Sequence, residues 1–422
     1  MERVGVGDGA VNGMKIGFVT TTSLESPYGI GRCYPLAKYL ARAGHEVHII
    51  ALHHNWTLAV LRYQLREGVH VHHVGQMHVR KVGNTTIHFS LPALLWTVSR
   101  GLSALTRKVL ELKPDIIHIG KPHPQNSIAG FIAGKAMPDR RIFLDYDDYE
   151  AGINRFGNAV ERYVIRLFEN RVPRYVAGVT THSSYLQHRL VQGGVSENRI
   201  LRLPSGFDPE RFRRRPDDLI DALRSELGLA EKQVILYVGT LSFTSHAIDL
   251  LLKAFARVAN RHADAILVLA GGGVDLEQAK HLAEGLGIGA RCRFLGRVPG
   301  EQVPLLLQMA TLSVDPVRAT ETEKARWPLK IVESLAAGVP VLTGEIGDRS
   351  EMLGDGEAGL LVTPDSTEAL ARGIDQALAS PQALNTMAGC AKRLSARYDA
   401  RRLARKLVKF YQAFEIPDTQ PV

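Results

Sequence analysis

Short apolar runs alternate with amphipathic stretches along nearly the whole chain. Residues 15–23 (KIGFVTTTS) form a compact apolar run bounded by polar residues, the pattern of a strand buried on both faces of a parallel sheet. A glycine loop at 28–32, a helical stretch at 34–44 and a second apolar run at 46–52 complete a strand–helix–strand unit. The alternation continues with predicted strands at 69–75, 115–120, 141–146 and 178–183, and helices near 91–112, 125–136 and 157–172. An Arg/Pro-rich stretch at 209–218 interrupts it. A second series follows, with strands at 233–240, 265–271, 292–298, 312–317, 340–344 and 359–364, and helices near 247–260, 276–286, 301–309 and 328–337. Repeated units of this kind predict two α/β domains, each a mostly parallel sheet covered by helices on both faces. A basic helix is expected at 400–414.

Composition agrees with two cores. At 422 residues the chain exceeds what one core holds, and 45% hydrophobic with 23% charged residues excludes disordered and fibrous classes. The net charge of +9 is unevenly placed. Up to Arg215 there are 29 basic and 17 acidic residues, net +12, whereas the remainder is −3; 13 of the 16 histidines also precede that point. The first half therefore suits an anionic partner. Nucleic acid is disfavoured, because the cations are scattered without interleaved stacking aromatics. Three widely spaced cysteines, Cys33, Cys292 and Cys390, argue against a disulfide framework and for a reducing, cytoplasmic setting. The Gly-rich leader at 1–13 is not secretory in character, and Met14 is an alternative start. No run of about 18 apolar residues exists. The segment 89–110 reads as an amphipathic helix that packs on its own domain or touches lipid headgroups.

Ligands of open α/β sheets sit beyond the carboxyl ends of the strands, so the loops there carry the candidate chemistry. Gly29 and Gly31 precede a helix and would let a phosphate approach the backbone, or simply make a turn; the missing GxGxxG disfavours a dinucleotide. In 326-RWPLKIVESLAAGVPVLTG-344, Lys330 and Glu333 lie on one helical face. A cation in a first helical turn opposes the dipole and calls for an anion such as a diphosphate, while the carboxylate one turn on suits a vicinal diol. The cluster 70-HVHHVGQMH-78 alternates Val with His, as in a strand with one solvated face, with metal binding as the lesser reading.

The segment 326-RWPLKIVESLAAGVPVLTG-344, together with 204-PSGFDPERF-212, 236-LYVGTL-241, 268-VLAGGG-273, 294-FLGRVP-299 and 351-EMLGDGEAGLLVTP-364, resembles the glycosyltransferases of family 4 from Lys15 to about Tyr411. The resemblance implies the GT-B fold: an acceptor-binding Rossmann-like domain (14–205), a donor-binding one (206–395) facing it across a cleft, and a C-terminal helix (396–422) crossing back. It also implies retaining transfer from a nucleoside diphosphate sugar to a hydroxyl acceptor without metal or other cofactor. Donor contacts then fall to Gly29, Gly31, Gly239, Thr240, Gly296, Arg297 and Glu333. Lys121 and His123, in a loop after a strand, match a His-containing loop near the reacting centre. Asp147, Asp148 and Glu150, with Asp145 nearby, would bind acceptor hydroxyls, a metal, or arginines such as Arg155.

Two departures stand out. The first glutamate of the family's E-x7-E pattern is Ala325 here, leaving Glu321 or Glu323 to reach in or the donor sugar to be held differently. The usual Arg and Lys that neutralise the leaving diphosphate are Thr240 and Ser245, so Arg326 and Lys330 are expected to replace them, with His246 as a further polar contact. The basic half points to an anionic or lipid-linked acceptor and to peripheral contact with the inner face of an anionic membrane. A sugar-nucleotide epimerase and a non-catalytic nucleotide-sugar-binding protein are the rival expectations.

Overall fold

The computed structural model describes residues 13–22, 24, 26, 28–58, 61–82, 85–153 and 159–414; the leader, Arg155 and the last eight residues lie outside them. Among these residues the chain forms two parallel sheets. The first contains β1 (Lys15–Thr20), β2 (Glu46–His53), β3 (Tyr63–Arg66) and β4 (Val69–Gln76). After a separate hairpin, β5 (Val79–Val82) and β6 (Thr85–His88), it continues with β7 (Ile116–Gly120), β8 (Arg141–Tyr146), β9 (Gly178–Thr181) and β10 (Ile200–Arg202). Its order is β10-β9-β8-β7-β1-β2-β4-β3, parallel except for β3 at the edge. The second sheet holds β11 (Gln233–Val238), β12 (Ala265–Ala270), β13 (Cys292–Gly296), β14 (Leu312–Asp315), β15 (Val341–Gly344) and β16 (Gly359–Val362). Its order, β13-β12-β11-β14-β15-β16, is that of a doubly wound dinucleotide-type sheet.

Both sheets reverse their winding beside their first strand. The switch points are β1/β7 and β11/β14, and each opens a crevice at the strands' carboxyl ends. The apolar runs explain the rest: β2, β7 and β12 are buried almost throughout because helices cover both faces. Four clusters form the cores, one on either side of each sheet.

The chain crosses between domains twice, side by side. Phe207 donates to the Tyr398 carbonyl at 3.0 Å, and Ala400 donates to the Phe207 carbonyl at 3.1 Å. The helix Ala400–Gln412 then buries Leu403, Leu407 and Tyr411 in the first domain's core, beside Phe18 and Phe143. Its Tyr411 hydroxyl meets Nδ1 of buried His118 at 2.5 Å. No described helix is long and apolar enough to cross a membrane. The three cysteines are unpaired, with Cys33 and Cys292 buried. The histidines of β4 lie on its partly exposed face, where His48 stacks on His70 and His72.

Candidate active site

The two crevices face one another around a cavity of about 350 Å³. Val238 at the end of β11 with Gly239 and Thr240 after it, and Asp315 at the end of β14 with Pro316 after it, line one wall together with residues of the segment 326–333. Tyr28, Gly31, Arg32, Asp147, Asp148 and His182 line the other. The walls are drawn close by specific contacts. A Cβ on Gly31 would stand 2.4 Å from Leu329 Cδ2, so a larger residue there would have to push the Leu329 side chain aside. His182 Nε2 lies 3.1 Å from the Ala325 carbonyl, and Trp327 Nε1 donates to the Ser205 carbonyl at 3.2 Å.

Charge on the second-domain wall is dense and ordered. Helix Leu329–Ala337 begins after Pro328, which places Lys330 in the first turn. Its ammonium lies 3.1 Å from Asp315, 3.4 Å from the Tyr237 hydroxyl and 4.4 Å from the Tyr237 ring centre. Burial works against that cation, but Tyr237 and Asp315 outweigh it and hold its pKa above the ordinary lysine value. The anion that a first-turn cation requires is thus partly supplied from within, by Asp315. Gly239, at φ +150°, leaves the room: a Cβ there would stand 2.9 Å from the Tyr237 hydroxyl and 3.4 Å from Lys330 Nζ. Arg349, nearly inaccessible, binds Asp315 at 2.9 Å and Glu323 at 2.7 Å.

The missing glutamate has a packing explanation. Ala325 is completely buried in the first domain's core, where a carboxylate could not be hydrated. Glu323, on the preceding turn Glu321–Ala325, is buried, lines the cavity and holds both Arg349 and Arg326. Arg326 in turn donates to the Ser245 carbonyl at 2.6 Å. The position where relatives carry a lysine therefore anchors a guanidinium through its backbone. His246, beside these groups, is pushed down to about 3 by burial and by Lys330 and Arg326, so it is neutral.

Glu333 differs from its neighbours. It is buried, lines the cavity, and its nearest cation is Arg211 at 3.9 Å. Burial, only partly offset by Arg211, pushes its pKa up to about 7. A carboxylate so poorly satisfied is suited to accept hydroxyls.

On the first-domain wall, the acidic run is paired from within. Arg32 grips Asp145 with two bonds, 2.6 and 2.5 Å, and donates to the Leu203 carbonyl. Burial would raise Asp145, yet Arg32 more than cancels it and leaves the carboxyl at about 2. Lys121, at φ +68°, reaches Glu150 at 2.5 Å, Asp148 at 2.9 Å and Asp147 at 3.6 Å, and His123 lies 3.0 Å from Glu150. Burial raises Asp147 well above the usual carboxylate range, and its Oδ1 has no hydrogen-bond partner.

Of the residues singled out from sequence, Gly31, Gly239, Thr240, Arg326, Lys330, Glu333, Asp147 and Asp148 meet in the cavity. Lys121, His123 and Glu150 form the ion-paired cluster behind Asp147 and Asp148, outside the cavity lining. Gly29 packs against Leu24, while Gly296 ends β13 and Arg297 is exposed beyond it. Sequence reasoning passed over Asp315, Arg349, Tyr237 and Arg32. Asp315, last residue of its strand, and Arg32, next to the glycines, carried positional signals; Arg349 carried none.

Residues 32–211 match the sequence profile of Glycosyltransferase Family 4, and residues 220–394 that of Glycosyl transferases group 1. With both halves matched and the two sheets facing across a cleft, the chain belongs to the family 4 type glycosyltransferases of GT-B fold. It is 29% identical over 245 residues to the GDP-mannose-dependent alpha-(1-6)-phosphatidylinositol monomannoside mannosyltransferase of Mycolicibacterium smegmatis, covering 58% of this chain and 62% of that protein. It is 27% identical to the putative colanic acid biosynthesis glycosyl transferase WcaI of Escherichia coli, covering 84% and 89%. Among solved structures, Anabaena HepE in complex with UDP-glucose superposes with a TM-score of 0.72 at 19% identity, over 95% of this chain and all of that one.

Proposed function

We propose that this glycosyltransferase moves a sugar from a nucleoside diphosphate sugar to a hydroxyl acceptor, with retention of configuration and without a metal ion or other cofactor. The observation that carries the reading is the cationic set Lys330, Arg326 and Arg349 at the β11/β14 crevice, one helical turn from the under-satisfied Glu333. The diphosphate faces Lys330 and Arg326, whose fixed charge stabilises the departing phosphate. Glu333 accepts the ribose hydroxyls. The bond between the anomeric carbon and the phosphate oxygen breaks as the acceptor oxygen bonds to the same face, and the acceptor's proton passes to the leaving phosphate. Asp147 and Asp148 accept the acceptor's other hydroxyls. The GDP-mannose dependence named for the mycobacterial relative and the UDP-glucose bound to HepE support a nucleotide-sugar donor.

Thermal-shift screening against UDP-, GDP- and ADP-sugars, followed by turnover in excess chelator with the product anomer read by NMR, tests it. A donor that raises the melting temperature and yields a product of unchanged configuration is expected. A product that is still a free nucleotide sugar would identify an epimerase; donor binding without transfer to any acceptor would identify a binding protein.

A further inference from the structure

Exposed apolar surface is distributed as unevenly as charge. Of the sixteen large apolar side chains exposed among the described residues, fourteen precede residue 205. Several of them rise beyond the cleft-facing end of the first sheet. Helix Leu91–Leu112 runs from that end to the foot of β1, where Lys15 reaches the Leu112 carbonyl. Gln125, in the first turn after β7, donates to the Val98 carbonyl at 3.1 Å, which makes Val98 level with the crevice. The seven residues before it therefore project about 10 Å past the sheet, and they expose Leu91, Leu95 and Trp96.

A second helix does the same. Glu169 accepts from the backbone N–H of Glu150 at 2.9 Å, fixing the end of Ala159–Arg171 at crevice level. Its earlier turns stand beyond, exposing Val160, Tyr163 and Leu167. The hairpin β5/β6, tied to the end of β4 by Gln76 donating to the Val79 carbonyl, adds exposed Ile87. Cations accompany this apolar lip: Arg80, Lys81 and Arg100 are exposed, with Arg100 over the Trp96 ring at 5.4 Å, and Arg162 and Arg166 lie on the second helix. Positions 68–110 hold five Lys or Arg and no Asp or Glu.

We propose that this lip docks the first domain on an anionic phospholipid bilayer, so that the cleft beside it receives an acceptor whose tail stays in the membrane. Projecting Leu and Trp side chains enter the headgroup–acyl boundary, and the flanking cations meet lipid phosphates. The acceptor clause rests on the transferase reading; the docking itself does not.

The test is cosedimentation of the full chain with phosphatidylcholine vesicles, with and without phosphatidylglycerol, at low and high salt. Binding that needs phosphatidylglycerol and weakens with salt is expected. Changing Leu91, Leu95 and Trp96 together to Ser lowers the partition coefficient roughly tenfold or more. Arg80→Glu with Lys81→Glu and Arg100→Glu removes the preference for phosphatidylglycerol. Neither variant alters the thermal shift given by the nucleotide-sugar donor, which certifies the fold. Absence of vesicle binding at low salt, or binding that both variants leave intact, overturns the proposal. So does concentration-dependent self-association of the free protein that the apolar variant abolishes, since a second copy then covers the lip. If vesicles bind as expected but no sugar is transferred, docking stands and the transferase reading fails.

Discussion

The two walls of the cleft are built from the same ingredients in opposite proportion. On the second-domain wall three cations, Lys330, Arg326 and Arg349, share two carboxylates, Asp315 and Glu323. On the first-domain wall two cations, Arg32 and Lys121, face four carboxylates, Asp145, Asp147, Asp148 and Glu150. Buried charges need partners, and both walls satisfy that need, but each keeps a surplus of one sign. The positive surplus lies where a leaving diphosphate gathers charge. The negative surplus lies where an acceptor's hydroxyls would be held. Internal pairing does not erase a site's preference; it fixes the groups in place and leaves the imbalance for the ligand to resolve.

The largest effect is expected from emptying the first wall of its cation. Lys121→Met leaves three carboxylates, whose ligand oxygens lie within 4.8 Å of one another, without the ammonium that ties them. Removing one partner of a buried ionic cluster costs about 3–5 kcal/mol, seen as a lower denaturant midpoint. The vacated trio then takes a divalent ion: Mn²⁺ should raise the melting temperature of the variant and not of the wild type. If Mn²⁺ stabilises both equally, Lys121 is no resident cation. On the second wall, Lys330→Met should cut turnover by about 10²–10³, the usual cost of losing one donor to developing charge, with little loss of stability because Arg349 still pairs Asp315. Retention of a tenth of wild-type turnover would transfer the main role to Arg349.

The walls were not equally legible in the sequence. Strands and helices around them were, since fully buried parallel strands read as plain apolar runs. The edge strand Tyr63–Arg66 and the hairpin strands Val79–Val82 and Thr85–His88 were missed because each is only 4 residues long, too short for a pattern to stand out. On the donor side Lys330 and Glu333 could be paired by helical spacing alone. Their supporting groups could not: Arg349 meets Asp315 from 34 positions away, and that meeting depends on the crossover order of β14 and β15. On the acceptor side, Arg32 joins Asp145 across 113 positions, so spacing along the chain offered only nearby arginines such as Arg155 as partners for the four acids. The loss of the family glutamate was visible at Ala325, but its cause, a methyl packed into the other domain's core, exists only in three dimensions.

Apart from these ion pairs, on the second-domain wall, stands Glu333, a carboxylate with an ordinary value of 4.5 pushed up to about 7. The native state therefore holds an extra proton between those limits, and stability falls as pH rises through them. Glu333→Gln removes the slope: the variant matches wild type below the window and exceeds it above by as much as about 3 kcal/mol. Donor affinity should run the other way. Wild-type binding tightens as pH rises towards 7, because the ionised form accepts the diol, whereas the Gln variant binds weakly at every pH. Calorimetric titration with the identified donor across this range decides it; a pH-independent wild type would remove Glu333 from the ribose.

The smallest effect separates fixed from free charge within the second wall. Arg326 is tied to Glu323 and to the Ser245 carbonyl, and its side chain is 22% exposed against 15% for Lys330. Water screens it more, so its share of phosphate stabilisation is smaller. Arg326→Ala should lower turnover roughly tenfold, about 1.4 kcal/mol, and Arg326→Lys should recover part of it, since one nitrogen, Nη1, donates to both the Glu323 carboxylate and the Ser245 carbonyl and an ammonium can do the same from a shorter side chain. If alanine leaves turnover within a few-fold of wild type, Lys330 and Arg349 alone hold the diphosphate. In that case the contrast between the walls reduces to two cations on each with different numbers of carboxylates around them, and Arg326 serves only to hold Glu323 against Arg349.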